Sequence, residues 1–165
     1  MKVSKYLLLR LTLLLFLFPS FLAAQDEKQK LTDPVVKGIV EQFVSMHYSQ
    51  KPLDDEMSAK IFKLYLNRLD PAHYYFLAAD VNEFQKYETR IDDMLLRGKV
   101  KLALEIFERF KVRLSERLAM MEEFLAEDFD FSRDANWTLE REDLPYPETT
   151  EEAREIWRTK IKFDL

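Results

Sequence analysis

Two glycines, Gly38 and Gly98, serve a chain of 165 residues. That scarcity limits the possible folds more than any other feature. Phosphate-cradling loops of the G-x-G-x-x-G or P-loop kind need several glycines in one short stretch, because backbone N–H groups must approach phosphate closely. Gly38 and Gly98 are far apart, so neither loop exists here. Hairpin-rich β folds draw on glycine or Asn-Gly turns, and this chain offers almost none. The balance tilts to helices. A hydrophobic fraction of 47% is enough for a packed core. The absence of cysteine excludes disulfides, thiolate metal sites, cysteine nucleophiles and a lipid-modified N-terminal cysteine.

Residues 1–24 read as a secretory signal peptide. Lys2, Lys5 and Arg10 form a basic n-region, Leu11 to Leu22 an apolar core, and Ala23-Ala24 a small-residue exit before Gln25-Asp26-Glu27-Lys28. The apolar run is about 12 residues where a membrane span needs about 20, so cleavage after Ala24 is expected rather than a retained anchor. The leader holds three of the 25 basic residues and none of the 30 acids, so the remainder carries 22 against 30, a formal net charge of −8. An acidic exported domain without a basic stripe is a poor partner for nucleic acid or an anionic membrane.

After a flexible extension over 25–33, the spacing predicts five helices. Asp33-Pro34 is a helix start, with Val36, Ile39, Val40, Phe43 and Met46 recurring at helical steps over 34–49. Asp54 or Asp55 caps a second helix that runs to Leu69 and stops at Asp70-Pro71. Residues 72–79 are apolar and aromatic, a short buried segment or a single turn. Asp80 is predicted to cap a third helix, with Glu83 completing a capping box and Gly98 ending it in a left-handed turn. The fourth helix takes Val100, Ala103, Leu104, Phe107, Phe110, Leu114, Leu118, Met121 and Leu125 as its core stripe. Its opposite face of Lys101, Glu105, Glu108, Arg109, Arg113, Glu116, Arg117 and Glu123 is expected in solvent. Residues 127–148 read as an irregular draped segment packed through Trp137, Pro145, Tyr146 and Pro147. Thr149 or Thr150, with Glu152, starts a fifth helix lined by Ile156, Trp157 and Ile161. The expected class is an all-α helical bundle. No stop signal follows Trp157, which suggests an N-terminal piece of something longer, with Trp157 and Ile161 left exposed and prone to self-association.

Little chemistry is visible. His47 and His73 have no H-x-x-x-H spacing and no ligand cluster, so hydrogen-bonded structural roles are expected. Ser45, Ser49, Ser58, Ser115 and Ser132 lack a recognisable base. Ser58 and Lys60, two residues apart on a helix, point to different faces. The carboxylate pairs Asp54-Asp55 and Glu151-Glu152 suit helix starts, whereas Asp92-Asp93 and Glu122-Glu123 suit solvated faces. Trp137 and Trp157 read as packing anchors. No residue is assigned a catalytic, cofactor-binding or metal-binding role, and no cofactor is expected.

One set of motifs has a specific likeness. His47-Tyr48, Leu53-Asp54, Ser58-Ala59-Lys60-Ile61-Phe62, Tyr65-Leu66, Leu69-Asp70, Asp80-Val81 and Glu83-Phe84 follow in order. Leu96-Arg97-Gly98-Lys99, Phe129-Asp130-Phe131, Leu139-Glu140-Arg141, Pro145-Tyr146-Pro147, Trp157 and Lys160-Ile161-Lys162-Phe163 continue the series. Residues 36–165 thereby resemble the helical N-terminal domain of tail-specific proteases, also called C-terminal processing peptidases of the Prc type. The resemblance implies a periplasmic serine endopeptidase with a Ser–Lys dyad and a PDZ-like module that captures nonpolar C-termini. Helical N- and C-terminal domains surround its proteolytic core, and a helical-repeat lipoprotein serves as adaptor. No position here matches the nucleophile or the lysine base, so residues 34–165 are expected to be that N-terminal domain, truncated at its C-terminal end and inactive alone. A free-standing periplasmic interaction module is the alternative. Small-molecule binding in the core has only the aromatic segment 73–76 behind it.

Overall fold

A computed structural model describes residues 33–46, 51–127, 129–131, 138 and 140–165. Every regular element among them is helical, so the all-α expectation holds. No helix among the described residues is long and apolar enough to cross a membrane. The described residues fall into two compact units, 33–46 with Leu95–Lys99, and the described residues of Lys51–Met94 with Val100–Leu165.

In the first unit, α1 is helical over described residues 33–46. The expected continuation to 49 lies outside the described residues. Gly98 adopts φ 72°, the left-handed conformation that its sequence position called for. A Cβ there would also overlap the Asp33 carbonyl, so glycine is required on two counts. Lys99 forms an ion pair with Asp33 beside it.

The second unit contains α2 (Asp55–Leu69), α3 (Ala78–Gln85), α5 (Lys101–Leu125) and α6 (Thr150–Asp164), with α4 (Ile91–Leu96) crossing the unit boundary. Asp54 caps α2 through Oδ1, which accepts the Met57 N–H at 2.9 Å. The helix ends at Asp70, whose N–H still reaches Leu66 O at 2.9 Å. Thr149 Oγ1 accepts the Glu152 N–H at 3.1 Å and starts α6, as the sequence predicts. Phe62 and Leu66 of α2, Phe84 of α3, Leu102 and Ile106 of α5, and Phe76 from the connecting loop make one buried cluster. Met120 and Phe124 of α5 and Trp157 and Ile161 of α6 make a second. Trp157 and Ile161 are each only 5% exposed, so the expected exposure at the C-terminal helix is overturned: α5 covers them.

Three further expectations change. The α3 N-cap is Leu77, and Asp80 sits one turn inside, where its Oδ2 accepts the Leu77 N–H at 3.0 Å. The predicted single third helix is broken over 86–90. Tight bonds from Tyr87 N–H to Phe84 O and Glu88 N–H to Gln85 O end α3, and α4 then starts afresh under a cap supplied from α2. Ser58 Oγ accepts the Asp92 N–H and donates to Asp92 Oδ1, both at 2.8 Å. A cap from 34 residues away leaves no local sequence signal.

The third change concerns α5, which carries two stripes at steps of three and four. The buried one is Leu102, Ile106, Arg117, Met120 and Phe124. Four members of the predicted core stripe, Leu104, Phe107, Leu118 and Leu125, are 40–58% exposed. Arg117, assigned to the solvated face, is completely buried, and Arg113 is mostly so. A cation in the middle of the true core stripe disguised it.

Candidate functional site

The loop from Asp70 to Leu77, between α2 and α3, is held by buried side-chain bonds on two sides. Pro71 cannot continue the helix, and the buried Asp70 carboxylate then gathers the backbone that follows. Its Oδ1 accepts the Tyr74 N–H at 2.8 Å, and its Oδ2 accepts the Tyr75 and Phe76 N–H groups at 2.9 and 3.0 Å. His73 takes φ 54° at the head of this turn. That left-handed value is uncommon for a residue with a side chain, though histidine is among the types enriched there.

Carbonyls of the same loop are met from the other side. Arg117 donates from Nη2 to Tyr75 O at 2.9 Å and from Nε to Tyr74 O at 3.4 Å. Trp157 Nε1 donates to Tyr74 O at 2.9 Å. Buried polar groups persist only when paired, and here one anion serves the donors of a loop while one cation serves its acceptors. Burial pulls the Arg117 guanidinium below its ordinary value, with Glu116 acting against it at 3.7 Å. The aromatic rings fan out from this node. Tyr75 meets Phe110 edge-on at 5.3 Å and lies 5.7 Å from Trp157. His73 stacks on Tyr146 at 3.8 Å, and its Nδ1–H donates to Leu144 O at 2.5 Å. Burial raises the Tyr146 hydroxyl to about 12, with Asp70 adding to the effect.

Asp80, 1% exposed, forms the second ionic node. Arg113 grips it at 2.7 Å (Nε to Oδ2) and 3.0 Å (Nη2 to Oδ1), the two-pronged geometry that makes such pairs strong. Arg109 Nη1 reaches Oδ1 at 2.5 Å and its Nη2 reaches Glu83 at 3.0 Å. Burial alone would push the Asp80 carboxyl up, but hydrogen bonds from Arg113, the Leu77 N–H and Arg109 outweigh it and hold the group below its ordinary value. The pair of nodes ties α3 and the loop to α5.

A cleft of about 320 Å³ opens beside His73 and Tyr146, floored by Phe62, Leu66 and Val81 and rimmed by Lys63, Asn67, Gln85, Glu88 and Glu142. Lys63 lies 3.7 Å from Glu88. The rim holds no base–nucleophile pair. Ser58 is buried and committed to Asp92, while Lys60 pairs with Glu56 on the other face. No group of three or more His, Cys, Asp or Glu among the described residues could hold a metal ion. Of the remaining candidates, Ser45 donates to Gln42 O at 3.0 Å, Glu123 pairs with Arg154 at 2.7 Å, and Asp54 and Glu152 serve helix starts. His47, Ser49, Ser132 and Trp137 lie outside the described residues. From the sequence Asp70 stands at a helix stop, Asp80 at a cap and Arg117 in solvent, which misses their buried roles. The available signals were Asp-Pro at a helix end and an arginine in register with Ile106, Met120 and Phe124.

Buried Asp70, Asp80 and Arg117 are thus each engaged in holding backbone or a counter-charge. The family model for the tail-specific protease N-terminal domain matches residues 39–165 of this sequence. The chain belongs to that family. A tail-specific protease of Haemophilus influenzae is 31% identical over 144 residues, which cover 87% of this chain and 20% of that protein. The chain therefore spans about a fifth of the length of the curated relative. The match to the tail-specific protease N-terminal domain family runs from within α1 to the end of α6 and includes both nodes.

Proposed function

We propose that residues 34–165 act as the non-catalytic helical scaffold of an exported tail-specific protease, following a signal peptide over 1–24 and a flexible extension over 25–33. The observation that carries this reading is the match to the N-terminal domain family over 39–165, joined to a relative five times the matched length. The arrangement of charges supports it. Asp70, Asp80, Arg113 and Arg117 are spent on internal hydrogen bonds, which suits a rigid support. The family resemblance implies that a PDZ-like module and a Ser–Lys core outside this chain capture and cut proteins at nonpolar C-termini in the periplasm. The partners of this domain are then that core and a helical-repeat lipoprotein adaptor.

The test uses the Haemophilus influenzae protease from which the matching N-terminal segment has been removed. Added in trans, this chain associates with that protein and restores cleavage of a substrate with a nonpolar C-terminus, while cleaving nothing by itself. Cleavage by the chain alone overturns the scaffold reading. Folded chain that neither binds nor restores activity favours a free-standing interaction module.

A further inference from the structure

The cleft beside His73 and Tyr146 is consumed by neither ionic node. Its volume of about 320 Å³ lies at the small end of ligand pockets, which run from about 300 to 1,000 Å³. That suits one long side chain rather than a large cofactor. Phe62, Leu66 and Val81 give it an apolar floor. The polar groups above that floor are weighted to acceptors. His73 spends its Nδ1–H on Leu144 O, which leaves Nε2 of the neutral ring as an acceptor. Lys63 and Glu88, 3.7 Å apart, offset each other. Glu142 is then in excess, because one lysine against two glutamates leaves the lining at −1. Among the described residues no hydrogen bond or ion pair engages the side chains of Glu142, Asn67 or Gln85. The two amides can each give and take a bond with a peptide group.

We propose that the cleft binds the side chain of an arginine presented by another polypeptide. A guanidinium is flat, carries five N–H donors and stacks on aromatic faces. It therefore answers an acceptor-rich lining bounded by the stacked His73 and Tyr146 rings. Its aliphatic stem covers Phe62 and Leu66 while the charged head stays at the rim. Glu142 accepts from the head, and Asn67 and Gln85 hold the peptide groups on either side. A carboxylate is repelled by the net charge of the lining, and a purely apolar group gives the acceptors no donor. The chain's own net charge of −5 also draws a basic segment from a distance. The cleft lies within the second unit, so binding here does not require that unit to support a protease core.

Amide NMR of the purified chain tests this with blocked tripeptides that place arginine, citrulline or lysine between two alanines. The arginine peptide should shift the amides of Phe62, Val81, Gln85 and Glu142, with a Kd of about 1 mM or tighter. Citrulline keeps the shape of arginine without its charge and should bind about tenfold more weakly. Glu142→Gln, at an exposed position, should weaken the arginine peptide about tenfold and the citrulline peptide little. The variant's own dispersed spectrum shows that it is folded. No shift at about 10 mM arginine peptide overturns the proposal. So does equal binding of the arginine and citrulline peptides, an unchanged affinity in Glu142→Gln, or shifts confined to residues outside the cleft. A lysine peptide that binds as tightly as the arginine peptide overturns the choice of a guanidinium. Free n-butylguanidinium that binds as tightly as the peptide overturns a polypeptide as its source.

Discussion

Replacing Asp70 by asparagine keeps the shape of the side chain and removes its charge. The carboxylate accepts three backbone N–H groups, one on Oδ1 and two on Oδ2. An amide oxygen in the Oδ2 position retains the bonds to Tyr75 and Phe76 in weaker, neutral form. The NH₂ group then faces the Tyr74 N–H, donor against donor, in a site with no exposure to water. A hydrogen bond to a charged group contributes about 1.5–3 kcal/mol against about 1 for a neutral one, and an unpaired buried donor costs about 1–3 kcal/mol. Buried Arg117 also loses a neighbouring anion. The sum is about 3–5 kcal/mol, a large part of the 5–15 kcal/mol that stabilises an ordinary domain. With a urea slope of about 1.5 kcal/mol/M, the unfolding midpoint should fall by about 2–3 M. Circular dichroism at 222 nm follows the transition. A midpoint within about 0.5 M of wild type would refute the claim that Asp70 organises the loop.

Other consequences are equally specific. The Asp80 carboxyl is held below its ordinary value, so its contribution to stability is present above about pH 4 and is lost as pH falls through and below that point. Asp80→Asn should therefore be less stable than wild type at pH 7, with a gap in urea midpoint that narrows below pH 4; an unchanging gap contradicts the role. Ser58→Ala removes a buried cap and should cost about 1–2 kcal/mol. Amide exchange at Asp92 should quicken, and an unaltered rate there would show that α4 does not depend on Ser58. Gly98→Ala places a methyl group against the Asp33 carbonyl at a left-handed position, so it should destabilise α1 by more than about 1 kcal/mol. Faster exchange of the α1 amides is the readout.

What the sequence made legible followed from local rules. Asp54 and Thr149 caps, the stop at Asp70-Pro71 and the left-handed Gly98 each depend on residues within one turn of the feature, and each stands where expected. The α4 start was hidden because Ser58 reaches it from another helix. The rotation of α5 was hidden because charge stood in for exposure. Arg117 lies in register with the core although its charge suggests solvent, and Leu104 and Leu118 are half-exposed although their apolarity suggests the core. An arginine can occupy a core position only when its donors find acceptors, and those are Tyr74 O and Tyr75 O, more than 40 residues away. The structural roles of Asp70 and Asp80 depend on the same long-range pairing, which no window of sequence displays.

Buried charge holds the 70–77 loop as firmly as the helices around it. Amide hydrogen exchange at Tyr74, Tyr75 and Phe76 tests it most directly. If Asp70 holds those three N–H groups as described, they exchange only through global unfolding, as slowly as the amides of Phe110 and Leu114 in the middle of α5. Exchange at the rate of an exposed loop, while α5 remains protected, would contradict the account.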